Sequence, residues 1–465
     1  MSRAVRFLTL ATTIWVSGCI PPRPEMPRAA SVAPPTDWRG PKGAGRAIDA
    51  AWWEGFGDPV LARLVETALA NNDDLAIAVA RVDEARAQTA LARSQLMPAL
   101  DAAAAAQRSR SVNAFGKPAV QNSGGPQLQL SFDTDLFGRL KSADAAAQAA
   151  LLASEGARDT VRLAVISATA SSYITLRALD ARLTTARETL ASRAEALRIA
   201  RRRATVGYTS MLELRQAEAE YKATEQLVPI AVLAMTRQED SLSVLIGQLP
   251  AAIARGAAID RLAAPAIPDG LPADLLRRRP DLFAAEQQIV AADRNLDSAR
   301  AAFLPDVRLT GTAGVALSSL LVDPITIWSI GASALAPIFE GGRLRAQSDA
   351  AAARRDQAAF AYRKTALTAF REVEDALATT QRTSEQVDAL QGQRDALAAA
   401  LHLATNRYHA GYAPYLDVLD AERGLLNAEL VLIQARADRL NAYVSLYQAM
   451  GGGWSPDSIA RAARK

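Results

Sequence analysis

A chain of 465 residues with 53 basic and 49 acidic side chains interspersed along it has a formal charge of only +4, which gives no case for binding nucleic acid. Half of it is hydrophobic, yet only 5% is aromatic and alanine supplies much of the rest. Long, closely packed helices fit that composition better than one large globular core. The single cysteine, Cys19, excludes any disulfide within the chain.

The first stretch, MSRAVRFLTLATTIWVSGCI, carries Arg3 and Arg6, an apolar run from Phe7 to Val16, and then small residues. That is the layout of a secretory signal, residues 1–18, too short to span a bilayer. Its end, Val16-Ser17-Gly18-Cys19, resembles a bacterial lipobox, which implies cleavage before Cys19 and lipid on its thiol and new amino group. Acyl chains there tether the N-terminus to a membrane, each buried CH₂ contributing about 0.8 kcal/mol. Residues 19–51 follow as an arm; Pro21 to Gly45 is rich in Pro and Gly and reads as extended.

From there the sequence is written twice. Asp74-Leu75, Ala92-Arg93 and Pro98 return as Asp281-Leu282, Ala299-Arg300 and Pro305, 207 residues on. Gly138-Arg139-Leu140 returns as Gly342-Arg343-Leu344, and RATVGYTSMLELRQAE (Arg203 to Glu218) as RYHAGYAPYLDVLDAE (Arg407 to Glu422), both 204 on. The change in spacing puts a three-residue insertion between Pro98 and Gly138, in a segment that should hold an exposed loop. Two homologous repeats, 52–250 and 271–454, are expected, with a linker at 251–270 and a tail at 455–465.

Each repeat opens with a helix, Leu61 to Leu96 and Leu275 to Phe303, stopped by Pro98 and Pro305. Two strands follow in each. PQLQLSFDTDLF alternates Leu128, Leu130 and Phe132 with Gln129, Ser131 and Asp133, giving one oily face; Val307 to Val315 and Trp328 to Ala336 alternate in the same sense. DAAAAAQ is read as a strand because its duplicate is one. Then comes a very long helix, proline-free from Arg139 to Val206 and again from Arg343 to Ala410. Leu367, Phe370, Leu377, Leu390, Leu397, Leu401 and Tyr408 mark a coiled-coil stripe. About 67 residues at about 1.5 Å each make a rod of roughly 100 Å.

The echoed motif sits where each long helix stops, at Gly207-Tyr208 and Gly411-Tyr412, before a second helix runs back. Glycine suits the left-handed residue that ends a helix, and Pro414 suits the first turn of the next. Two antiparallel hairpins result, their tips remote from the strands. Gly451-Gly452-Gly453 marks the end of the last helix. The runs Arg201-Arg202-Arg203 and Arg277-Arg278-Arg279 read as solvated helix faces.

Four strands cannot close, and an open edge in lipid leaves backbone groups unsatisfied. Membrane barrels need about eight or more strands. Either the strands pack as a small soluble sheet or copies share a barrel, eight strands from two or twelve from three.

Enzyme motifs are absent: there is no G-x-S-x-G, H-E-x-x-H or P-loop, so no catalytic residue and no cofactor is expected. His402 and His409, seven apart with no further His or Cys near them in sequence, read as solvated residues near a tip rather than a metal site. Asp417 and Asp420, three apart, share one helix face, either as carboxylates at a helix start or as rings around a symmetry axis, which attract cations at a constriction.

WWEGFGDPVLARLVETALANNDDLAIAVARVDEAR and LPADLLRRRPDLFAAEQQIVAADRNL resemble the two half-openings of the outer-membrane factor family, the TolC-like channels, in the NodT/OprM-type lipoprotein branch. The likeness runs from Trp52 to Trp454, with RRPDLFAAE and the two tips as its most specific parts. It implies a mainly α protein with membrane β: a homotrimer with a twelve-stranded barrel in the outer membrane and a tunnel of twelve helices in the periplasm. It also implies a passive exit duct for an inner-membrane pump of the resistance-nodulation-division type, joined through a periplasmic adaptor that docks at Gly207, Tyr208, Gly411 and Tyr412. Asp417 and Asp420 match its acidic rings at the periplasmic mouth, Tyr408 a linking tyrosine and Glu213 its acidic partner. A linking arginine known in part of the family corresponds to Ala413, which implies a gate held by fewer links. The competing reading is a lipid-anchored periplasmic coiled-coil adaptor.

Overall fold

The structure is a computed structural model that describes residues 22–40, 48–112, 115–268, 270–319 and 321–456. The expected signal segment and Cys19 lie outside the described residues, as does the tail beyond Pro456. In chain order come α1 (Pro59–Asn71), α2 (Asp73–Ser94), β1 (Ala99–Val112), β2 (Pro118–Asp133), α3 (Arg139–Thr205), α4 (Met211–Glu225) and α5 (Leu227–Leu245). The second half gives α6 (Pro272–Arg278), α7 (Pro280–Ala301), β3 (Asp306–Ser318), β4 (Ile325–Leu335), α8 (Arg343–His409) and α9 (Tyr415–Ala449). The protein is mostly helical, and α3 and α8 have 67 residues each, about 100 Å at the usual rise. No helix among the described residues is long and apolar enough to cross a membrane.

The expected opening helix is in fact two, and the break falls at duplicate positions. Asn72 is extended (φ −69°, ψ 127°); its amide donates to Leu245 O at 2.9 Å and its carbonyl caps Leu75 N at 3.1 Å. Arg279, 207 residues on, is extended too (φ −109°, ψ 125°), the conformation favoured for a residue before a proline, here Pro280. The returning helix of the first repeat also breaks, at Gln226, because Pro229 lacks an N–H and its ring crowds the carbonyl four residues back. Isoleucine, Ile433, stands at the duplicate position, and α9 runs unbroken. The strand expected through Phe137 stops at Asp133, and β1 extends well beyond DAAAAAQ.

Contacts divide the chain into two compact units, each drawing on both repeats. The first (residues 1–31, 81–155 and 284–364) holds the sheet, antiparallel in the order β1-β2-β3-β4 among the described residues. Ala99 pairs with Ser131 and Asp306 with Leu335. These pairs are duplicates at spacings of 207 and 204, so the three inserted residues lie toward the tip of the β1–β2 hairpin. Asp135 starts α3 by accepting from Leu140 N and Lys141 N, each at 2.8 Å. Arg355, 2% exposed, donates to the main-chain oxygens of Pro24 (2.7 Å) and Glu25 (3.0 Å), so the N-terminal arm is docked on α8 there.

The second unit (32–80, 156–283 and 365–465) contains the main apolar core. Trp52 stacks on Tyr447 with ring centroids 5.2 Å apart, and Trp53, Phe56, Leu61, Val65, Tyr173, Ile174, Leu242 and Leu440 close around them. Asp58 is buried at its centre, accepting from Val60 N, Tyr173 OH and Ala257 N at 2.7–2.9 Å. Gly451 to Gly453 all have positive φ (88°, 56°, 77°), and a Cβ on Gly451 would meet Arg278 O at 1.9 Å. The buried seam of α8 in this unit is Ala366, Ala369, Val373, Ala376, Thr380 and Val387, with Leu377 beside it; Leu367, expected in the stripe, is half exposed. Arg279, expected on a solvated face, is buried and donates to Asp281, Glu372 and Ala449 O.

Candidate functional site

The hairpin tips are built by main-chain chemistry first. Past the end of α3, Tyr208 N bonds Arg203 O at 2.8 Å and Gly207 N bonds Ala204 O at 3.1 Å, with Gly207 at φ 71°. Past α8, Tyr412 N bonds Arg407 O at 2.9 Å and Gly411 N bonds Tyr408 O at 3.0 Å, with Gly411 at φ 78°. Both are Schellman closures, in which a left-handed residue lets the last carbonyls of the helix find donors. Tyr208 and Tyr412 project into solvent, 88% and 79% exposed. Ser210 caps α4 by accepting from Glu213 N at 3.3 Å; Pro414 is the N-cap of α9, one position before the expected first turn.

The turns bring Tyr408 and Glu213 together. Tyr408 OH donates to Glu213 Oε1, and Arg203 Nη1 donates to Tyr408 Oη at 2.9 Å. Thr209 OH donates to the other oxygen of Glu213. The Arg203 guanidinium lies 5.6 Å from the Tyr408 ring centre. Burial, then the bond to Glu213, pushes the Tyr408 hydroxyl up to about 12, so it stays a donor across the neutral range. Arg203, read from sequence as solvated, is half-buried in this link. Asp417 and Asp420 lie exposed on α9, Asp420 being 72% exposed and 3.9 Å from Arg423. His402 and His409 are exposed on α8.

A second level of links lies closer to the body of the hairpins, and sequence reasoning missed it. Arg193 of α3, 2% exposed, donates to Glu422 of α9 and approaches Glu220 of α4 at 3.9 Å. Arg423 of α9 donates to the same Glu220 through Nε at 2.7 Å and through Nη2. Burial lowers the proton affinity of Arg193 and the Glu220 charge opposes it. Beside them Tyr415 has a buried hydroxyl with no hydrogen-bond partner among the described residues. Removing one member of such a buried pair costs about 3–5 kcal/mol, because a charge is left unpaired. An exposed pair is worth about 0–1 kcal/mol. The one signal in the sequence is a departure from the repeat: Arg193 and Glu220 have Leu397 and Gly424 as duplicates.

Residues 64–248 and 271–452 match the outer membrane efflux protein family. The chain is 36% identical over 409 residues to the solvent efflux pump outer membrane protein SrpC of Pseudomonas putida, covering 86% of this chain and 87% of that one. Among solved structures it is similar to the CmeC outer membrane channel of Campylobacter jejuni (TM-score 0.86, 26% identity, 96% of this chain and 98% of that one). It is also similar to the open state of the MtrE outer membrane channel of Neisseria gonorrhoeae (TM-score 0.82, 31% identity, 93% and 98%). These likenesses set aside the adaptor reading. Two matched repeats, a helical fold with one four-stranded sheet and relatives covered almost end to end agree: this chain belongs to the outer membrane efflux protein family and is an efflux channel of the outer membrane.

Proposed function

We propose that three copies of this chain form one passive exit duct, with a twelve-stranded barrel in the outer membrane and a helical tunnel in the periplasm. The observation that carries the reading is the sheet itself. Among the described residues its outer strands β1 and β4 each pair on one side only, and both are exposed along most of their length. Leu128, Leu130, Leu309, Ile327, Trp328 and Ile330 stand on it unburied. Edges of that kind in lipid require a neighbour, and further copies of the same hairpins supply one.

The duct catalyses nothing; transport is driven by an inner-membrane pump, of the resistance-nodulation-division type, through a periplasmic adaptor. The adaptor docks at Gly207, Tyr208, Gly411 and Tyr412, where aromatic side chains are already presented to solvent. Lipid on Cys19 adds a tether. Small organic compounds are the cargo, in line with the solvent efflux of the Pseudomonas putida relative. Asp417 and Asp420 form acidic rings at the periplasmic mouth, and the Tyr408–Glu213–Arg203 link holds that mouth narrow. Planar bilayers test this reading: the purified protein should conduct with a preference for cations, and Asp417→Ala with Asp420→Ala should reduce that preference. An unchanged preference would contradict the acidic rings.

A further inference from the structure

The Tyr408 link and the Arg193 cluster both cross from one hairpin to the other, yet they are built differently. The Tyr408 link is half-buried and lies next to the turns. Arg193 lies ten residues back along α3 from Arg203, about 15 Å at the helical rise, and is almost wholly out of water.

The repeat shows what the deeper charges are for. At the duplicate positions the second hairpin has Leu397 and Gly424, and a Cβ on Gly424 would lie 3.2 Å from Leu397 Cδ2. A hairpin of this plan therefore packs at that level with a leucine against a glycine and needs no charge. In the first hairpin the charges reach outward. Arg193 bonds Glu422, tying α3 to α9, and Arg423 bonds Glu220, tying α9 back to α4. Two reciprocal bonds on neighbouring residues, Glu422 and Arg423, fix both the position of α9 and its rotation about its own axis. Tilt is the freedom they leave.

We propose that Arg193, with Glu220, Glu422 and Arg423, is a fulcrum: the α8–α9 tip tilts away from the α3–α4 tip about this buried level, which stays joined, while the Tyr408 link separates as a catch. The proposal rests on reading the tips as a gate. An opening motion follows the cheaper route, and stripping a buried arginine of its carboxylates costs more than parting a half-exposed link. Arg193 is accordingly a positioning residue, touching no cargo. The arc of a tilt grows with distance from its centre. Asp420, two residues from Glu422, moves least, Asp417 moves further, and Tyr412 moves most.

Cross-linking separates a fulcrum from a second catch. Full-length protein carrying Tyr408→Phe, which releases the catch, is placed in planar bilayers and should conduct more than the parent. In that background, Arg193→Cys with Glu422→Cys is joined by a short bis-maleimide, each single-cysteine variant serving as control. The raised conductance should persist, because a fulcrum is joined in both states. Arg203→Cys with Tyr408→Cys, joined in the same way, should bring conductance back to the parent level. Loss of the raised conductance on joining 193 to 422 would overturn the proposal, as would failure of that pair to cross-link. Should Arg193→Cys not assemble, Arg193→Leu with Glu220→Gly copies the packing of the second hairpin. With Tyr408→Phe it should replace one discrete open level by several, and a single unchanged level would overturn the fulcrum. If Tyr408→Phe itself raises nothing, the gate reading has failed rather than the fulcrum.

Discussion

The hairpin closed by Gly207 and the hairpin closed by Gly411 share a main-chain turn but not the side chains that surround it. Both end a 67-residue helix with the same pair of hydrogen bonds and the same left-handed glycine. Ten residues back from Arg203, the first has a buried arginine, while the second has a leucine set against a glycine. The first breaks its returning helix ahead of Pro229; the second does not. Duplication kept what the backbone demands and let the partners diverge, and the diverged positions are where the two copies meet.

Five substitutions probe that difference, read as the local opening free energy of α3, α4 and α9 by amide hydrogen exchange. Arg193→Met leaves Glu422 without its partner in a poorly solvated site, while Glu220 keeps Arg423, and should lower it by about 3 kcal/mol. Adding Glu220→Gly to Arg193→Leu, the pairing of the second copy, should recover part of that loss by restoring packing, with Glu422 still unpaired and Arg423 without its carboxylate; no recovery would mean the copies are not interchangeable there. Gly207→Ala and Gly411→Ala should each cost about 1–2 kcal/mol and should match, since a new Cβ meets nothing within 4 Å at either site and only the backbone is strained. Unequal costs would break the claim that the turns are equivalent.

Tyr408→Phe should cost about 1 kcal/mol, the net worth of a hydrogen bond. It should also remove a pH dependence. The hydroxyl is raised in the folded state from about 10 to about 12, so its stabilisation is complete below 10 and fades as pH rises toward 12. The parent tip should loosen across that window, and the Phe variant should not. Asp420→Asn should change stability least, by less than about 0.5 kcal/mol, because the group is mostly exposed and stands 3.9 Å from Arg423.

Features set by neighbouring residues were legible in the sequence. The tips, the long helices from Arg139 and Arg343, and the alternation about Leu128 and Leu130 all follow from local pattern or from the repeat, whereas the pairing of Tyr408 with Glu213 was reached only through the family resemblance. Two breaks had local signals that the helical periodicity outweighed: Asn72 stands before two aspartates, a start signal, and Arg279 stands before a proline. What stayed hidden were pairings between residues far apart in the chain. Arg193 meets Glu422 across 229 positions and Arg355 meets Pro24 across 331. An arginine on a helix reads as solvated until the element covering it is known. The α8 seam was misplaced for a related reason: alanines such as Ala366 and Ala369 carry little hydrophobic signal, yet their small size permits the close approach that buries them.

The claim on which the rest depends is that the four-stranded sheet is completed by other copies of the chain. Light scattering of the purified protein in detergent, corrected for bound detergent, measures that directly. Three times the mass of one chain, with precipitation when detergent is withdrawn, is the predicted result. A single chain that stays in solution without detergent would mean that the edges of β1 and β4 need no partner, and the shared barrel would be wrong.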